Sequence, residues 1–335
     1  MVGSRASAGA VLVTGGTRGI GRAIALAYAR DRARVGITYA TDEAAATTVV
    51  QQIATEGGSG VAARLDLAEP ASIPAAVTET AERFGGLDVL VANAVRWPID
   101  ARGPLAEIGP DVWSRALRAN LEGTAATVRA ALAYLSRSSA GRVVLVSSGV
   151  SRHGMAGATA YATAKAGLDG LIAALKWEAG QHDVLINIVS TGFTVTENNL
   201  ASFSDDVRES VRERTPSRRL SVPDDIANAV LLVGSPANGN ITGDTSQSRA
   251  ASTEPEDGDR SCLVTVRNAP PARPTAACRC AAEDVMTRYG FASGTNRHGR
   301  RTGRYSPGQS AYASSASLVS LAADAPYFAA TSLTG

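Results

Sequence analysis

Short apolar runs alternate with longer helical patterns along the first 244 residues of the chain. The runs are rich in Val, Ile and Leu, and such nearly continuous apolarity is typical of strands that are buried on both faces of a sheet. They cover residues 10–14, 35–39, 61–65, 89–92, 143–147 and 184–189, and helix-like segments lie at 22–30, 43–55, 73–84, 111–136, 161–179, 206–214 and 224–233. The alternation predicts an α/β fold, a doubly wound parallel sheet of Rossmann type with helices on both faces.

The alternation stops after Asp244. Residues 245–259 are polar and rich in Ser and Thr, a composition typical of loops or of disorder. Residues 262–266 have the composition of a strand, but the Pro-rich stretch that follows does not suit a regular element. We therefore predict one folded domain over 1–244 and an atypical tail over 245–335 that is poorly ordered or loosely packed.

Charge and hydropathy exclude several classes of protein. The 335 residues carry 33 basic and 31 acidic side chains, and the net charge of +2 gives no broad field for nucleic acid or for an anionic membrane. No stretch approaches the roughly 18 uninterrupted apolar residues of a membrane span, and the N-terminus lacks the apolar segment of a signal peptide. We expect a soluble cytoplasmic protein that binds neither nucleic acid nor membrane.

The cysteines and histidines do not predict a metal site. Three cysteines make no disulfide framework, and Cys278 and Cys280 are one residue too close for the usual zinc knuckle. The three histidines show no ligand spacing. The chemistry of the protein is therefore expected to depend on other groups.

A glycine-rich turn joins the first apolar run to the first helix, where residues 11–21 read VLVTGGTRGIG. Glycines let the main chain turn sharply and approach a pyrophosphate, and the start of a helix supplies unpaired N–H groups and partial positive charge. The position directly after the first strand favours a dinucleotide site over a merely structural turn. The predicted cofactor-binding residues of this turn are Gly15, Gly16, Thr17, Arg18, Gly19, Ile20 and Gly21.

The end of the second run bears on the choice between NAD and NADP. Enzymes that use NAD usually carry an acidic residue there for the ribose 2′-hydroxyl. This chain has Ala40 at that point and no carboxylate before Asp42. Arg18 can place its positive charge next to a 2′-phosphate. The alternative interpretation of Arg18 is an ordinary solvated surface arginine. NADPH is therefore the predicted cofactor, with Ala40 in its binding site.

Tyr161 and Lys165 stand four residues apart on a predicted helix, so their side chains share one face. An ammonium near a phenol favours the phenolate and lowers the Tyr pKa from about 10 toward neutrality, as a proton-transfer group requires. Lys165 is one of two lysines beside 31 arginines, which argues against ordinary surface usage. Ser148 closes a buried run thirteen residues before Tyr161 and can donate to a substrate carbonyl, with Ser147 as the competing choice.

Together, the TGGTRGIG turn, the SS-x₁₂-YATAK pattern and the order of the runs resemble the short-chain dehydrogenase/reductase family, close to 3-oxoacyl-carrier-protein reductases and polyketide ketoreductases. The resemblance covers residues 11–244. It implies that Ser148 polarises a carbonyl, that Tyr161 protonates the forming alkoxide, and that Lys165 lowers the tyrosine pKa and holds the nicotinamide ribose. It also implies a fourth catalytic residue, Asn120 in RANLEGT, which orders a relay water.

The resemblance adds weaker matches for the cofactor. It implies that an Asp-Leu pair after the third run contacts adenine, that an Asn after the fourth run belongs to an NNAG motif, and that TGFTVT lies at the nicotinamide amide. The residues implied as cofactor contacts are Asp66, Leu67, Asn93, Tyr161, Lys165, Gly192, Thr194 and Thr196.

The chain also departs from the family pattern. Ala92 and Val95 replace the first Asn and the Gly of NNAG, and Thr191 replaces a Pro, so the local main-chain support is expected to differ. After Asp244, family members continue through a short final strand, whereas this chain continues with TSQSRAASTEPE. Loss of that strand would expose a sheet edge and remove a surface that relatives use to form tetramers.

The leading hypothesis is an NADPH-dependent ketoreductase that acts on an acyl or polyketide-type ketone and assembles as a tetramer or dimer. Relatives that reduce carrier-bound chains dock the carrier on basic residues, where this chain has Ser139 and His182, so a free aromatic or hydrophobic ketone is comparably favoured and Trp97 is a candidate pocket wall. The alternatives are an NAD(P)-linked alcohol or sugar dehydrogenase and a catalytically silent dinucleotide-binding protein. The silent protein predicts loss of Tyr161 or Lys165, and both are present.

Overall fold

The apolar runs form a parallel sheet in the computed structural model, which describes residues 9–200 and 203–248. The strands are β1 (Ala10–Val13), β2 (Arg34–Tyr39), β3 (Ser59–Arg64), β4 (Val89–Ala92), β5 (Arg142–Ser148), β6 (Leu185–Thr191) and β7 (Thr245–Ser248). Within the described ranges their order is β3-β2-β1-β4-β5-β6-β7, and every pairing is parallel. The chain runs from β1 to β2 and β3 and then returns to the other side of β1 for β4, so a crevice opens beside β1.

Helices cover both faces of this sheet, and the predicted α/β, doubly wound architecture is confirmed. The helices are α1 (Gly19–Arg30), α2 (Glu43–Thr55), α3 (Ser72–Phe84), α4 (Pro110–Leu117), α5 (Gly123–Leu135), α6 (Val150–His153), α7 (Thr159–Gly180), α8 (Glu197–Leu200), α9 (Asp205–Glu213) and α10 (Pro223–Gly234). One apolar core joins the sheet to α1, α2 and α10, and a second core joins the opposite face to α3, α5 and α7. No helix in the described ranges is long and apolar enough to cross a membrane.

The sequence predicts one helix over 111–136, but the structure divides it. A five-residue π-helical turn, Arg118–Glu122, separates α4 from α5. Asn120 lies in this turn, and its side-chain Nδ2 donates to the carbonyls of Ala116 (3.0 Å) and Arg96 (2.9 Å). Because Arg96 belongs to the loop after β4, the turn ties the helical layer to the carboxyl edge of the sheet.

The expectation that the final strand is lost is wrong. β7 pairs in parallel with β6, and the Ile188 N–H donates to the Asp244 carbonyl (2.9 Å) at the start of that pairing. The Thr245 hydroxyl adds a bond to Asp169 of α7 (3.2 Å). Main-chain hydrogen bonds hold this strand in the sheet, so it does not need an apolar face. Its sequence, TSQS, contains no apolar residue, and the strand therefore could not be predicted from an apolar run. The fold therefore extends past the boundary predicted at 244. The proposed strand at 262–266 and all three cysteines lie outside the described residues.

Proline substitutions in β7 test this pairing. Because Ile188 donates to Asp244, the parallel ladder turns the Ser246 N–H toward β6 and the Gln247 N–H away from it. We expect Ser246→Pro to lower the free energy of unfolding by about 1–3 kcal/mol, since it removes a ladder donor. Gln247→Pro is the matched control, because proline is tolerated in an edge strand where its nitrogen faces outward. Equal stability of the two variants in chemical denaturation would contradict the pairing.

Candidate active site

Loops from several strands meet at one edge of the sheet. The carboxyl ends of β1, β4, β5 and β6 lead into residues 14–21, 93–97, 148–149 and 192–196. Ligands of open α/β sheets bind at this edge, in the crevice where the strand order reverses. The structure brings the site residues predicted from the sequence to this edge, on these loops, at the ends of β2 and β3, and on the helices that pack against them.

The turn after β1 is too tight for side chains. Gly15 has a φ of 65°, a left-handed conformation that favours glycine. A Cβ at Gly21 would lie 2.2 Å from the Gly15 carbonyl oxygen, and a Cβ at Gly16 would lie 2.6 Å from the Ile37 side chain. The main chain is therefore open to close approach by a pyrophosphate, as a dinucleotide loop requires.

Side chains from neighbouring strands hold this turn in place. The Thr38 hydroxyl of β2 accepts the Gly15 N–H (3.0 Å), and Asn93 Nδ2 donates to the carbonyls of Thr14 (3.0 Å) and Gly15 (3.2 Å). Asn93 thus supports the cofactor loop from behind. Thr38 is not predicted from the sequence, where the one available signal is a hydroxyl inside an otherwise apolar run. In the structure its side chain is buried.

The first turn of α1 is suited to an anion. Its N-cap residue, Arg18, has extended main chain and makes no side-chain capping bond, so the first N–H groups of the helix stay available to a ligand. The helix dipole adds partial positive charge there. The Arg18 side chain is exposed, and it takes part in none of the ion pairs found within residues 9–200 and 203–248. The turn and this arginine fit the phosphates of a dinucleotide.

The acidic residue after β2 has a structural role. Asp42 accepts the Ala45 N–H (2.9 Å) and so caps the start of α2. Ala40, which is exposed at the strand end, offers no carboxylate to a ribose 2′-hydroxyl. The end of β2 therefore lacks the group that NAD-specific sites usually carry.

Asp66 and Leu67 follow β3 at the same edge. The Asp66 carboxylate accepts the Ala68 N–H (2.9 Å) and lies 3.4 Å from a guanidinium nitrogen of Arg96, while Leu67 is buried. Asp66 is therefore fixed between its own turn and the loop after β4. This placement is compatible with the adenine contact that the family resemblance implies.

Tyr161 and Ser148 meet at the carboxyl end of β5. Tyr161 lies in the first turn of α7, and the Ser148 side chain is close enough to its hydroxyl to affect its pKa. Burial raises the pKa of Tyr161, and the neighbouring Ser148 offsets part of the rise. From the sequence, Lys165 is expected to lower this pKa, but in the structure burial raises it. The proximity to Tyr161 favours Ser148 over Ser147, whose buried hydroxyl instead lies 3.4 Å from the Lys165 carbonyl.

Lys165 lies one helical turn beyond Tyr161 and is buried to 4% exposure. Its Nζ donates to the Val146 carbonyl of β5 (2.8 Å). Burial lowers the pKa of Lys165 to about 8, because the ammonium loses most of its hydration. The group is therefore still largely charged at neutral pH and close to the range in which proton transfer is efficient.

Asn120 is buried, and both polar atoms of its side chain are hydrogen-bonded to main-chain groups of the protein. Oδ1 accepts the Arg96 N–H (2.9 Å), and Nδ2 donates to the carbonyls of Arg96 and Ala116. The Thr124 hydroxyl donates to the Asn120 main-chain carbonyl (2.9 Å). The Asn120 side chain thus positions the loop after β4.

Thr191, which replaces the family's proline, anchors the start of the loop after β6 through its own hydroxyl. The Thr191 hydroxyl donates to the Ser147 carbonyl (3.2 Å) and so joins the ends of β6 and β5. Beyond it, the Thr194 hydroxyl donates to the Gly192 carbonyl (3.2 Å). The departure at position 191 therefore leaves the start of this loop anchored.

Asn199 holds the rest of the loop after β6. It accepts the Thr196 N–H (2.8 Å) and donates to the carbonyl of buried Thr194. The Thr196 methyl would lie 3.4 Å from a Cβ at Gly19, so this loop packs against the glycine turn. Asn199 is not predicted from the sequence; it is the third residue of α8, and its side chain reaches back to the N–H of the residue before the helix, as in a capping box.

The sequence and the fold of this chain are similar to those of one known protein family. Residues 15–248 match the family model described as enoyl-(acyl carrier protein) reductase. The crystal structure of a short chain dehydrogenase from Burkholderia cenocepacia J2315 in complex with NADP is similar to this chain, with a TM-score of 0.67 and 33% identity over 75% of this chain and 100% of that one. The chain belongs to the short-chain dehydrogenase/reductase family.

Curated members of the short-chain dehydrogenase/reductase family that are similar to this chain differ in their reactions. The 3-oxoacyl-[acyl-carrier-protein] reductase FabG of Staphylococcus aureus strain N315 is 32% identical over 234 residues, 70% of this chain and 94% of that protein. The L-rhamnose 1-dehydrogenase (NAD(P)(+)) of Sphingomonas sp. strain SKA58 is 34% identical over 235 residues, 70% of this chain and 91% of that protein. As a member of the family, this protein is an oxidoreductase with a nicotinamide dinucleotide cofactor.

The groups gathered at the site suit proton transfer to an oxygen atom. Two hydroxyls, Ser148 and Tyr161, are neighbours, and Lys165 follows Tyr161 by one helical turn. In the part of the chain that the structure describes, no three His, Cys, Asp or Glu residues are placed to hold a metal ion. The arrangement can therefore donate a proton and stabilise the charge that proton leaves behind.

Proposed function

We propose that this enzyme uses NADPH to reduce a ketone of acyl or polyketide type to a secondary alcohol. The observation that carries the proposal is that Ser148 lies next to the Tyr161 hydroxyl, with the buried Lys165 one helical turn further along α7. Two neighbouring hydroxyls can both turn toward a carbonyl oxygen, which needs donors as its negative charge grows. The proposed catalytic residues are Asn120, Ser148, Tyr161 and Lys165.

In the proposed reaction a ketone, NADPH and one proton give an alcohol and NADP⁺. Bound NADPH supplies the hydride that the carbonyl carbon gains. Ser148 donates a hydrogen bond to the carbonyl oxygen, and Tyr161 transfers its hydroxyl proton to that oxygen as the C=O π bond breaks. The Lys165 ammonium stabilises the phenolate left on Tyr161, and a water held at the Asn120 carbonyl returns a proton from solvent.

The glycine turn and the loops around it are proposed to hold the cofactor. The first turn of α1 and the cramped glycines fit the pyrophosphate, while exposed Arg18 and the absence of a free carboxylate at Ala40 support NADPH over NADH. The NADP named in the similar Burkholderia structure agrees with this choice. The proposed cofactor-binding residues are Gly15, Gly16, Thr17, Arg18, Gly19, Ile20, Gly21, Ala40, Asp66, Leu67, Asn93, Tyr161, Lys165, Gly192, Thr194 and Thr196.

Arg18→Ala tests the cofactor choice. We expect the KM for NADPH to rise about tenfold or more and the KM for NADH to change little, because one charge-assisted contact to the 2′-phosphate is worth about 1.5–3 kcal/mol. Arg129→Ala, at an exposed arginine of α5, is the matched control. Equal effects of Arg18→Ala on both cofactors, in steady-state kinetics, would show that Arg18 does not recognise that phosphate.

The reaction itself is tested by offering the full-length protein a choice of substrates. We expect NADPH to be consumed with a 3-oxo ester and to be left unchanged with the matching 2-enoyl ester, because Ser148 and Tyr161 act on oxygen. Faster consumption with the enoyl ester would support the activity named in the family model's description. The alternative is an NAD(P)-linked alcohol or sugar dehydrogenase, which the rhamnose dehydrogenase relative favours and which predicts NADP⁺ reduction with L-rhamnose.

The surface argues for a free substrate over a carrier-bound one. Ser139 and His182 are exposed but lie before β5 and β6, at the edge opposite the catalytic residues. The neighbouring Arg137 donates to the Ala133 carbonyl and stacks on the Tyr134 ring. These positions therefore offer little cationic surface to an acidic carrier, although the relatives named as carrier-protein reductases keep that substrate class open to test.

We also propose that the enzyme is cytoplasmic and forms a homo-oligomer. β7 is an end strand of the described sheet, and its outer edge presents main-chain donors and acceptors to a second chain. The pairing of β7 with β6 supports this proposal, because the final strand that was expected to be lost is present.

A further inference from the structure

Exposed apolar side chains concentrate on the loops of the catalytic edge. Within residues 9–200 and 203–248, twelve large apolar residues are exposed, and six of them lie within twelve residues of the carboxyl end of β4, β5 or β6: Val95, Trp97, Ile99, Met155, Leu200 and Phe203. Exposed apolar groups cost little when they are scattered, but a group of them around one site marks a surface that a ligand covers. The substrate side of this site is therefore apolar.

Trp97 is the member of this group that touches the proposed proton donor. Its ring centroid lies 4.7 Å from that of Tyr161, with the ring planes tilted by 56°. The indole is nevertheless 44% exposed, which excludes simple core packing as the reason for its position. One part of the ring contacts Tyr161, and the rest is free to contact whatever ketone Tyr161 protonates.

The main chain fixes Trp97 on both sides. The preceding residue, Arg96, bonds through both its N–H and its carbonyl to the Asn120 side chain, each at 2.9 Å. On the other side, the Ile99 N–H donates to the Trp97 carbonyl (2.9 Å) and closes a tight turn. The indole is thus mounted on a rigid segment, and a rigid aromatic side chain loses little entropy when a ligand packs against it.

A second aromatic group lies on the neighbouring loop. Phe193 packs edge to face against Phe203, with ring centroids 5.3 Å apart. Phe193 is two residues beyond Thr191, whose register partner in β5 is Ser148. Aromatic groups therefore flank the two hydroxyls on the loops after β4 and β6.

From this geometry we infer that Trp97 is a specificity-determining residue, and that it selects ketones whose carbonyl belongs to a rigid apolar ring system over flexible linear 3-oxoacyl chains. The inference rests on the proposed function and names its substrate class. A flat indole beside Tyr161 gives a fused ring a large contact area while the carbonyl points at the two hydroxyls. A linear chain gains less from such a wall, because it must order several rotatable bonds to lie along it.

The test compares two ketones with the full-length enzyme and NADPH. 1-Tetralone represents the fused-ring class, and ethyl 3-oxohexanoate represents the linear class. We expect Trp97→Ala to lower kcat/KM for 1-tetralone about tenfold or more and to leave kcat/KM for the linear ester within about threefold. Trp97→Phe should restore most of the loss, since it keeps an aromatic wall. Trp177→Ala, at a tryptophan of α7 that is 73% exposed, is the matched control and should change neither value.

Binding is measured separately by calorimetry, with 1-tetralone added to the wild type and to Trp97→Ala. Equal losses for both ketones, or a wild-type preference for the linear ester, would overturn the inference. Tetralone binding that depends on Trp97, without NADPH consumption with any ketone, would support the wall and overturn the proposed reaction. Absence of both tetralone binding and tetralone turnover, with normal turnover of the linear ester, would overturn the inference and leave the reaction standing.

Discussion

Replacing Tyr161 by phenylalanine is expected to lower kcat for ketone reduction by about 10²–10⁴-fold, the range that a positioned proton donor contributes. The substitution removes the hydroxyl next to Ser148 and leaves the ring that packs against Trp97. NADPH affinity should stay within about threefold of the wild-type value, because the glycine turn and Arg18 are untouched. Single-turnover kinetics and NADPH fluorescence titration measure the two quantities.

Tyr134→Phe is the control for this experiment. Tyr134 is on α5, where its hydroxyl donates to Thr78 (3.2 Å) far from the catalytic edge. The Tyr134→Phe variant loses the same phenol oxygen, but at a position away from the proposed proton transfer. It should therefore keep near-normal turnover. Turnover by Tyr161→Phe that matches this control would show that another group supplies the proton.

Replacing Lys165 by methionine is expected to lower kcat by about 10²–10⁴-fold and also to weaken NADPH binding, because the ammonium is proposed to serve both the phenolate and the nicotinamide ribose. Methionine fills the same buried space beside Val146 without the charge. Lys176→Met is the matched control, since Lys176 is on the same helix and its ammonium lies over the Trp177 ring. A loss of turnover with unchanged NADPH affinity would remove the ribose contact from the proposal.

The low pKa of Lys165 gives this experiment a second readout. Burial lowers that pKa to about 8, whereas in the unfolded chain a lysine titrates near about 10.4. Between these pH values the unfolded state binds more protons than the folded state. The free energy of unfolding of the wild type should therefore rise relative to that of Lys165→Met as pH increases from about 8 to about 10. Over the same range the wild-type rate of reduction should fall as the ammonium is lost. Stability curves that stay parallel across this range would contradict the assignment of the low pKa to Lys165.

The parts of the fold that were predictable from the sequence are those that depend on burial. The strands of the sheet centre are rich in Val and Leu, so their apolar runs marked them directly. The glycine turn was predictable because the tight packing that excludes side chains there is recorded in the sequence as glycine. β7 was not visible, because Thr-Ser-Gln-Ser carries no apolar signal and the strand is held by main-chain bonds to β6. The division of the helix at 118–122 was also hidden, since it depends on the Asn120 bonds to a loop distant in sequence.

The candidate site follows the same rule. Ser148, Tyr161 and Lys165 were marked by their residue types and spacing, and the structure adds how they are supported. Thr38 and Asn199 act through single hydrogen bonds to main-chain groups, which no periodic pattern records. The direction of the Tyr161 pKa could not be predicted, because it depends on how completely α7 and the Trp97 loop bury the phenol.

The helix cap at Asp42 has a consequence for engineering and for divergence within the family. Two positions two residues apart have separate roles: Asp42 caps the start of α2, whereas Ala40 lies at the end of β2 and takes no part in that cap. A carboxylate introduced at position 40 could therefore reach a ribose 2′-hydroxyl without competing for the Ala45 N–H. In the proposed cofactor site, cofactor preference and helix initiation depend on different residues, so an acidic substitution at position 40 is expected to favour NADH while the start of α2 stays as it is.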